Sequence, residues 1–210
     1  MKSKIPLLIC LLHAPLFAAD DEVSVKFRAV APGLAPLTVG VSAAGNESLF
    51  EIPEGIRSAV QKYQGSPQTL FRDVTGRRMF PVAFPADHKL LLVVLRLGPD
   101  GEPSSVVLED DEDASQAGSL RLVNIGNEPL RIEAGDATAD LEPGGNTTLP
   151  SDGKKTIFIR VRRPATGDVL MSNNWALAPG SRTLAIFDPG ATPSASVRVY
   201  RFSETAPLKK

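Results

Sequence analysis

Cys10, two histidines and 24 carboxylates are the side chains with which this 210-residue chain could do chemistry. A serine triad would have to use His88, in Pro85-Ala86-Asp87-His88-Lys89, which reads as a turn leading into a strand. Asp87 adjoins it, but neighbours in sequence do not make a triad, and no G-x-S-x-G elbow accompanies them. A zinc site needs three or four ligands, normally including Cys or His. Pro143-Gly144-Gly145-Asn146 lacks the lysine and the following helix of a phosphate loop. Two carboxylates would suffice for a glycosidase, but such a site normally sits in an aromatic-lined cleft on a larger scaffold. Only 6% of this chain is aromatic. No catalytic residue, metal ligand or cofactor is therefore assigned. Hydrolysis by a carboxylate pair is the one enzymatic reading left open.

The N-terminus removes part of this inventory. Lys2 and Lys4 precede a mostly apolar run from Ile5 to Phe17, and the small residues Ala18 and Ala19 follow. That is the pattern of a signal peptide over residues 1–19, and the run is too short to span a bilayer. Cleavage would take away Cys10 and His13, so the mature chain would hold no disulfide, no thiol and one histidine. It would also take two of the 23 basic residues and none of the 24 acidic ones, leaving a balance of about −3. Such a chain has no basic field for nucleic acid. No later apolar stretch approaches the roughly 18–20 residues of a membrane span.

The remaining residues read as strands. Val23-Ser-Val-Lys-Phe-Arg-Ala-Val30 alternates apolar and polar positions, and Pro36-Leu37-Thr38-Val39 and Leu49-Phe50-Glu51-Ile52-Pro53 follow. In the second half Leu120-Arg-Leu-Val-Asn-Ile125 leads to Pro129-Leu130-Arg131-Ile132, then to Leu141-Glu142-Pro143. Leu37 and Leu130 stand 93 residues apart, and Pro53 and Pro143 stand 90 apart. The run 89–97, nearly continuous from Leu90 to Leu95, fits a central strand covered on both sides. It pairs by pattern with Thr156–Arg162, and 105–108 with 168–171. The expected fold is all-β: two tandem immunoglobulin-like β-sandwich domains, with one short helix in the first. The first domain would span 20–113 and the second 118–203, with a linker at 114–117 and a polar tail at 204–210. The run Asp110-Asp111-Glu112-Asp113 reads as solvated and joins this linker, although clustered carboxylates also suit calcium.

The helix is expected over Glu54–Tyr63, where Ile56, Val60 and Tyr63 fall at i, i+4 and i+7. On this reading residues 55–80 form an insertion without counterpart in the second half. Arginines and aromatics gather there in the mixture typical of contact surfaces. Tyr63, Phe71, Arg72, Arg77, Arg78 and Phe80 are therefore the candidate interaction surface. Trp175, the one tryptophan, is expected to fill a core.

Residues 120–125, Leu141-Glu-Pro-Gly-Gly145, Leu170-Met-Ser-Asn-Asn-Trp175 and 177–184 resemble small uncharacterised β-sandwich domains of exported bacterial proteins. The resemblance covers about 85 residues and implies fold and location. The expectation is a non-catalytic protein of the periplasm or cell surface that binds other envelope proteins. Adding a partner's strand to an open sheet edge is one route to such binding. The competing class is carbohydrate binding, with Trp175, Tyr63 or Phe80 exposed as a platform.

Overall fold

The computed structural model describes residues 22–43, 46–86, 90–98, 100–110, 118–150, 155–178, 180–189 and 196–205. The expected signal peptide, Asp87, His88, the linker 114–117 and residues 206–210 lie outside them. The described residues form strands and turns, with no helix among them. The first half contains β1 (Val23–Val30), β2 (Leu37–Ala43), β3 (Asn46–Ile52) and β4 (Gln61–Gly65), then β5 (Gln68–Asp73), β6 (Met79–Ala83), β7 (Leu91–Leu97) and β8 (Pro103–Glu109). The second contains β9 (Ser119–Asn124), β10 (Leu130–Ala134), β11 (Ala137–Leu141) and β12 (Asn146–Pro150), then β13 (Thr156–Arg162), β14 (Val169–Ala176), β15 (Ser181–Pro189) and β16 (Val197–Thr205).

The two halves share one topology, strand for strand. In the first, β4-β1-β7-β8 faces β3-β2-β5-β6; in the second, β12-β9-β15-β16 faces β11-β10-β13-β14. Each half has a single parallel pair in the same place, β1 with β7 and β9 with β15. Each pair of sheets closes on its own core. Phe27, Phe50, Phe71 and Phe84 interlock in the first at centroid spacings of 5.3–6.1 Å. In the second, Trp175 stacks on Phe187 at 6.2 Å and is 4% exposed. Trp175→Ala should cost about 3–5 kcal/mol, read from the shift in a urea unfolding curve.

This topology corrects several expectations. The segment 55–80 is not an insertion, because β4, β5 and β6 are the counterparts of β12, β13 and β14. The counterpart of β7 in the second half is β15, not Thr156–Arg162, and the counterpart of β8 is β16. The helix over Glu54–Tyr63 does not form. Gly55 takes a left-handed turn at φ 72°, and Gln61–Gly65 pairs with β1 instead. Glu204, assigned to a polar tail, lies inside β16. Asp110, assigned to a solvated run, is 1% exposed.

The halves dock sheet against sheet. Along β7 alternate residues part company: Leu91, Val93 and Leu95 enter the first core, while Leu92 and Val94 point the other way. There they meet Leu184 and Ile186 of β15, with Val30, Leu108, Val123, Ile125 and Phe202 completing a third apolar layer. The result is four stacked sheets, the two inner ones covered on both faces. Each fully buried side chain of this size contributes about 1.5–3 kcal/mol.

The docking is reciprocal. Matched through the strand registers, Val30, Leu92, Val94, Val106 and Leu108 correspond to Val123, Leu184, Ile186, Tyr200 and Phe202. Both sets line the same layer. At one end Arg28 approaches Glu204 at 3.8 Å, while its counterpart Arg121 approaches Asp110, the counterpart of Glu204, at 3.1 Å. Two residues that contact each other crosswise with their own equivalents are the mark of a two-fold interface, here within one chain. Arg57 bridges both carboxylates, at 2.8 Å from Asp110 and 3.3 Å from Glu204. Arg182 adds a contact to Glu204 at 3.0 Å, and Arg121 also donates to the Glu109 carbonyl.

Candidate functional site

The docked arrangement hides both inner sheets, so the broad faces left for partners are those of the outer sheets. Their equivalent positions differ sharply in chemistry. Across the first outer sheet one row runs Leu49–Gly40–Arg72–Met79. The matching row of the second runs Thr138–Glu133–Arg160–Ser172. On the second sheet Glu133 lies 3.2 Å from Arg160 and 3.1 Å from Arg162, and Arg131 and Asp140 pair at 2.7 Å. The Arg131 guanidinium holds the Asp140 carboxyl below the usual carboxylate range. On that face each of these arginines meets a carboxylate, and Arg160 also lies over the exposed Phe158 ring.

On the first sheet glycine replaces the central acid, and no carboxylate among the described residues forms an ion pair with Arg72. Leu49, Leu70, Val74 and Met79 are all at least half exposed around it, Leu49 at 64%. Over Gly40 lie the Glu47 carboxylate, its Oε1 2.5 Å from where a Cβ there would sit, and Leu49, its Cδ2 3.2 Å from that point. Leu70 stands opposite Pro81, which is also exposed. The face thus carries exposed apolar side chains around the Arg72 guanidinium, with Glu47 and Glu51 along its β3 edge.

The turn after β5 adds Arg77 and Arg78. Asp73, buried at its base, accepts hydrogen bonds from the Thr75 hydroxyl at 2.6 Å and the Arg77 N–H at 3.1 Å. The Thr75 bond, helped by the backbone of Arg77 and Arg78 and the charge of Arg78, lowers the Asp73 pKa despite burial. A depressed carboxylate contributes stability above its unfolded value, about 4, and that contribution is lost as pH falls through the folded value. Asp73→Asn should therefore lower the melting temperature at pH 7. The gap to the parent should close as the pH falls below about 4, as thermal melts across pH would show.

The candidate surface is only partly brought together. Arg72 and Arg77 are exposed and Arg78 is half-buried, all three on or beside the outer face. Tyr63, Phe71 and Phe80 instead point inward and belong to the first core, so they are not contact residues. The reason is register: in β5, Phe71 alternates with Leu70 and Arg72, and only the latter two face solvent. The exposed apolar residues Leu49, Leu70, Val74 and Met79 were missed. Their signal was that alternation, with apolar residues on both sides of the strand.

Strand addition meets an obstacle at β6. Pro81 removes a backbone donor from that edge, and the Ser105 hydroxyl of β8 already donates to the Pro81 carbonyl. Carbohydrate stacking loses its named platform, since Trp175, Tyr63 and Phe80 are all buried. The Asp110 oxygens are engaged by Arg57 and Arg121 rather than open to a cation.

No helix among the described residues is long and apolar enough to cross a membrane. Compared with known proteins, the chain matches no family model and no curated protein.

Proposed function

We propose that this chain is an exported, non-catalytic protein-interaction or structural module of the bacterial envelope, an accessory of a surface assembly. It is built from two immunoglobulin-like sandwiches and holds a partner protein against the outer sheet of the first. One observation carries the reading. At equivalent positions of one repeated topology, Leu49–Gly40–Arg72–Met79 presents exposed apolar side chains beside an arginine with no ion pair among the described residues, while Thr138–Glu133–Arg160–Ser172 is polar and self-paired. Exposed apolar side chains beside arginine are what protein interfaces enrich, and a partner with an acidic rim complements Arg72, Arg77 and Arg78. The lysines and apolar run of residues 2–17 support export.

The second outer sheet supplies an internal control. A photo-crosslinking residue placed at Met79, and separately at Ser172, would be tested in producing bacterial cells. The reading expects a discrete protein adduct from position 79, lost on Arg72→Glu, and none from 172. Equal adducts from both positions, or none from 79, would overturn it.

A further inference from the structure

The seam between the halves is closed differently at its two ends. At the end near Asp110, each guanidinium meets a carboxylate. At the other end, past Val94, a cleft of about 80 Å³ opens between the halves. It is lined by Arg96 and Leu97 of β7, Gly126 and Asn127 of the β9–β10 turn, and Asp188, Pro189 and Arg198 of β15 and β16. A Cβ on Gly126 would collide with Pro189, so the glycine lets the turn close against β15 and form one wall.

Three charges face this space. Arg198 Nη2 pairs with Asp188 Oδ2 at 2.7 Å. Arg96 has no ion-pair partner among the described residues. Its Nε is buried and makes no hydrogen bond there, and the same holds for the hydroxyl of Ser104, its cross-strand neighbour. One carboxylate thus offsets one of two guanidinium groups, leaving a single positive charge in a partly enclosed space. Arg96 lines the cleft without a carboxylate of its own among the described residues, and a planar guanidinium fork matches a carboxylate with two parallel bonds. The space is several times what one water needs.

We propose that this cleft binds a small carboxylate group, with Arg96 as its principal donor and the Asn127 amide at the rim. The site is separate from the outer-sheet surface, and its fate does not depend on that reading.

Acetate titrated into the full chain at constant ionic strength, with chloride as the exchanged anion, tests this by ¹⁵N nuclear magnetic resonance. The expected result is a saturable shift of the Arg96 Nε–H and Asn127 signals. Arg96→Gln should weaken binding by about tenfold or more. Asp188→Asn frees Arg198 and should tighten binding, which keeps the test decisive even if Arg96→Gln fails to fold. A shift that never saturates, saturable binding that survives Arg96→Gln, or no gain in affinity from Asp188→Asn would overturn the proposal.

Discussion

Asp110→Asn should lower stability by about 3–5 kcal/mol, the range for breaking a buried ion pair from one side. Asn keeps the shape and removes the charge, so the effect isolates electrostatics from packing. Asp110 Oδ1 accepts from Arg57 at 2.8 Å and Arg121 at 3.1 Å, and Oδ2 accepts from Arg57 at 3.0 Å. The side chains of all three are nearly or fully buried, at 2%, 3% and 6% exposure, so solvent screens them little. Removing the charge leaves Arg57 with Glu204 as its carboxylate partner and takes a buried carboxylate from Arg121 at the junction of the halves. Glu204→Gln should cost less, because Glu204 is 20% exposed and water can replace part of what is lost. Urea unfolding of the two variants side by side checks the ranking. Equal and small losses would mean that the cluster is solvated in the folded protein.

Ile186→Asp should have the largest effect on the assembly of the two halves. Ile186 is fully buried, yet it lies in the layer between the inner sheets rather than in the second core. Deleting such a side chain alone costs about 2–5 kcal/mol. An aspartate there adds a carboxylate amid Leu92, Val94 and their apolar neighbours. Parting the halves relieves that burden while leaving the second core, with Phe187 and Trp175, in place. Solution scattering should show the radius of gyration rising above the value for a compact chain of this length, about 17 Å. Val94→Asp, at the equivalent position of the first half, should do the same. A scattering curve unchanged by both variants would contradict a docked seam.

Much of the scaffold was legible as pattern. Alternation marked β1, the Pro-Leu spacing of 93 located β2 and β10, and the unbroken run from Leu90 to Leu95 announced a strand covered on both sides. The equivalence of the later strands was misread because length and apolarity were matched instead of continuity. β13 alternates, with Ile157, Ile159 and Val161 inward and Thr156 and Phe158 outward, as a one-sided strand must. The two-sided signal lay in Leu184-Ala-Ile-Phe187, the centre of β15. Placing β15 opposite β7 would have removed the supposed insertion at once.

The helix assignment failed for a related reason. Ile56, Val60 and Tyr63 have helical spacing, but Ile56 and Val60 are exposed and only Tyr63 is in the core. Three apolar residues over eight positions do not outweigh a Pro53-Glu54-Gly55 turn and a paired strand. Asp110 could not be placed from its neighbours, because Arg57 and Arg121 lie 53 and 11 residues away in the chain. For the surface, composition located the right strands, while the two-residue period decided which side chains face out. Phe71 and Arg72 are adjacent in sequence and on opposite faces of one sheet.

Native-state hydrogen exchange on the full chain tests the docked arrangement most directly. The account predicts that amides of β7 and β15 exchange through one shared, cooperative opening with the same free energy, because each inner sheet covers the other. Exchange of residues 91–97 through an opening that leaves 181–189 protected, or the reverse, would contradict it and make the halves independent bodies.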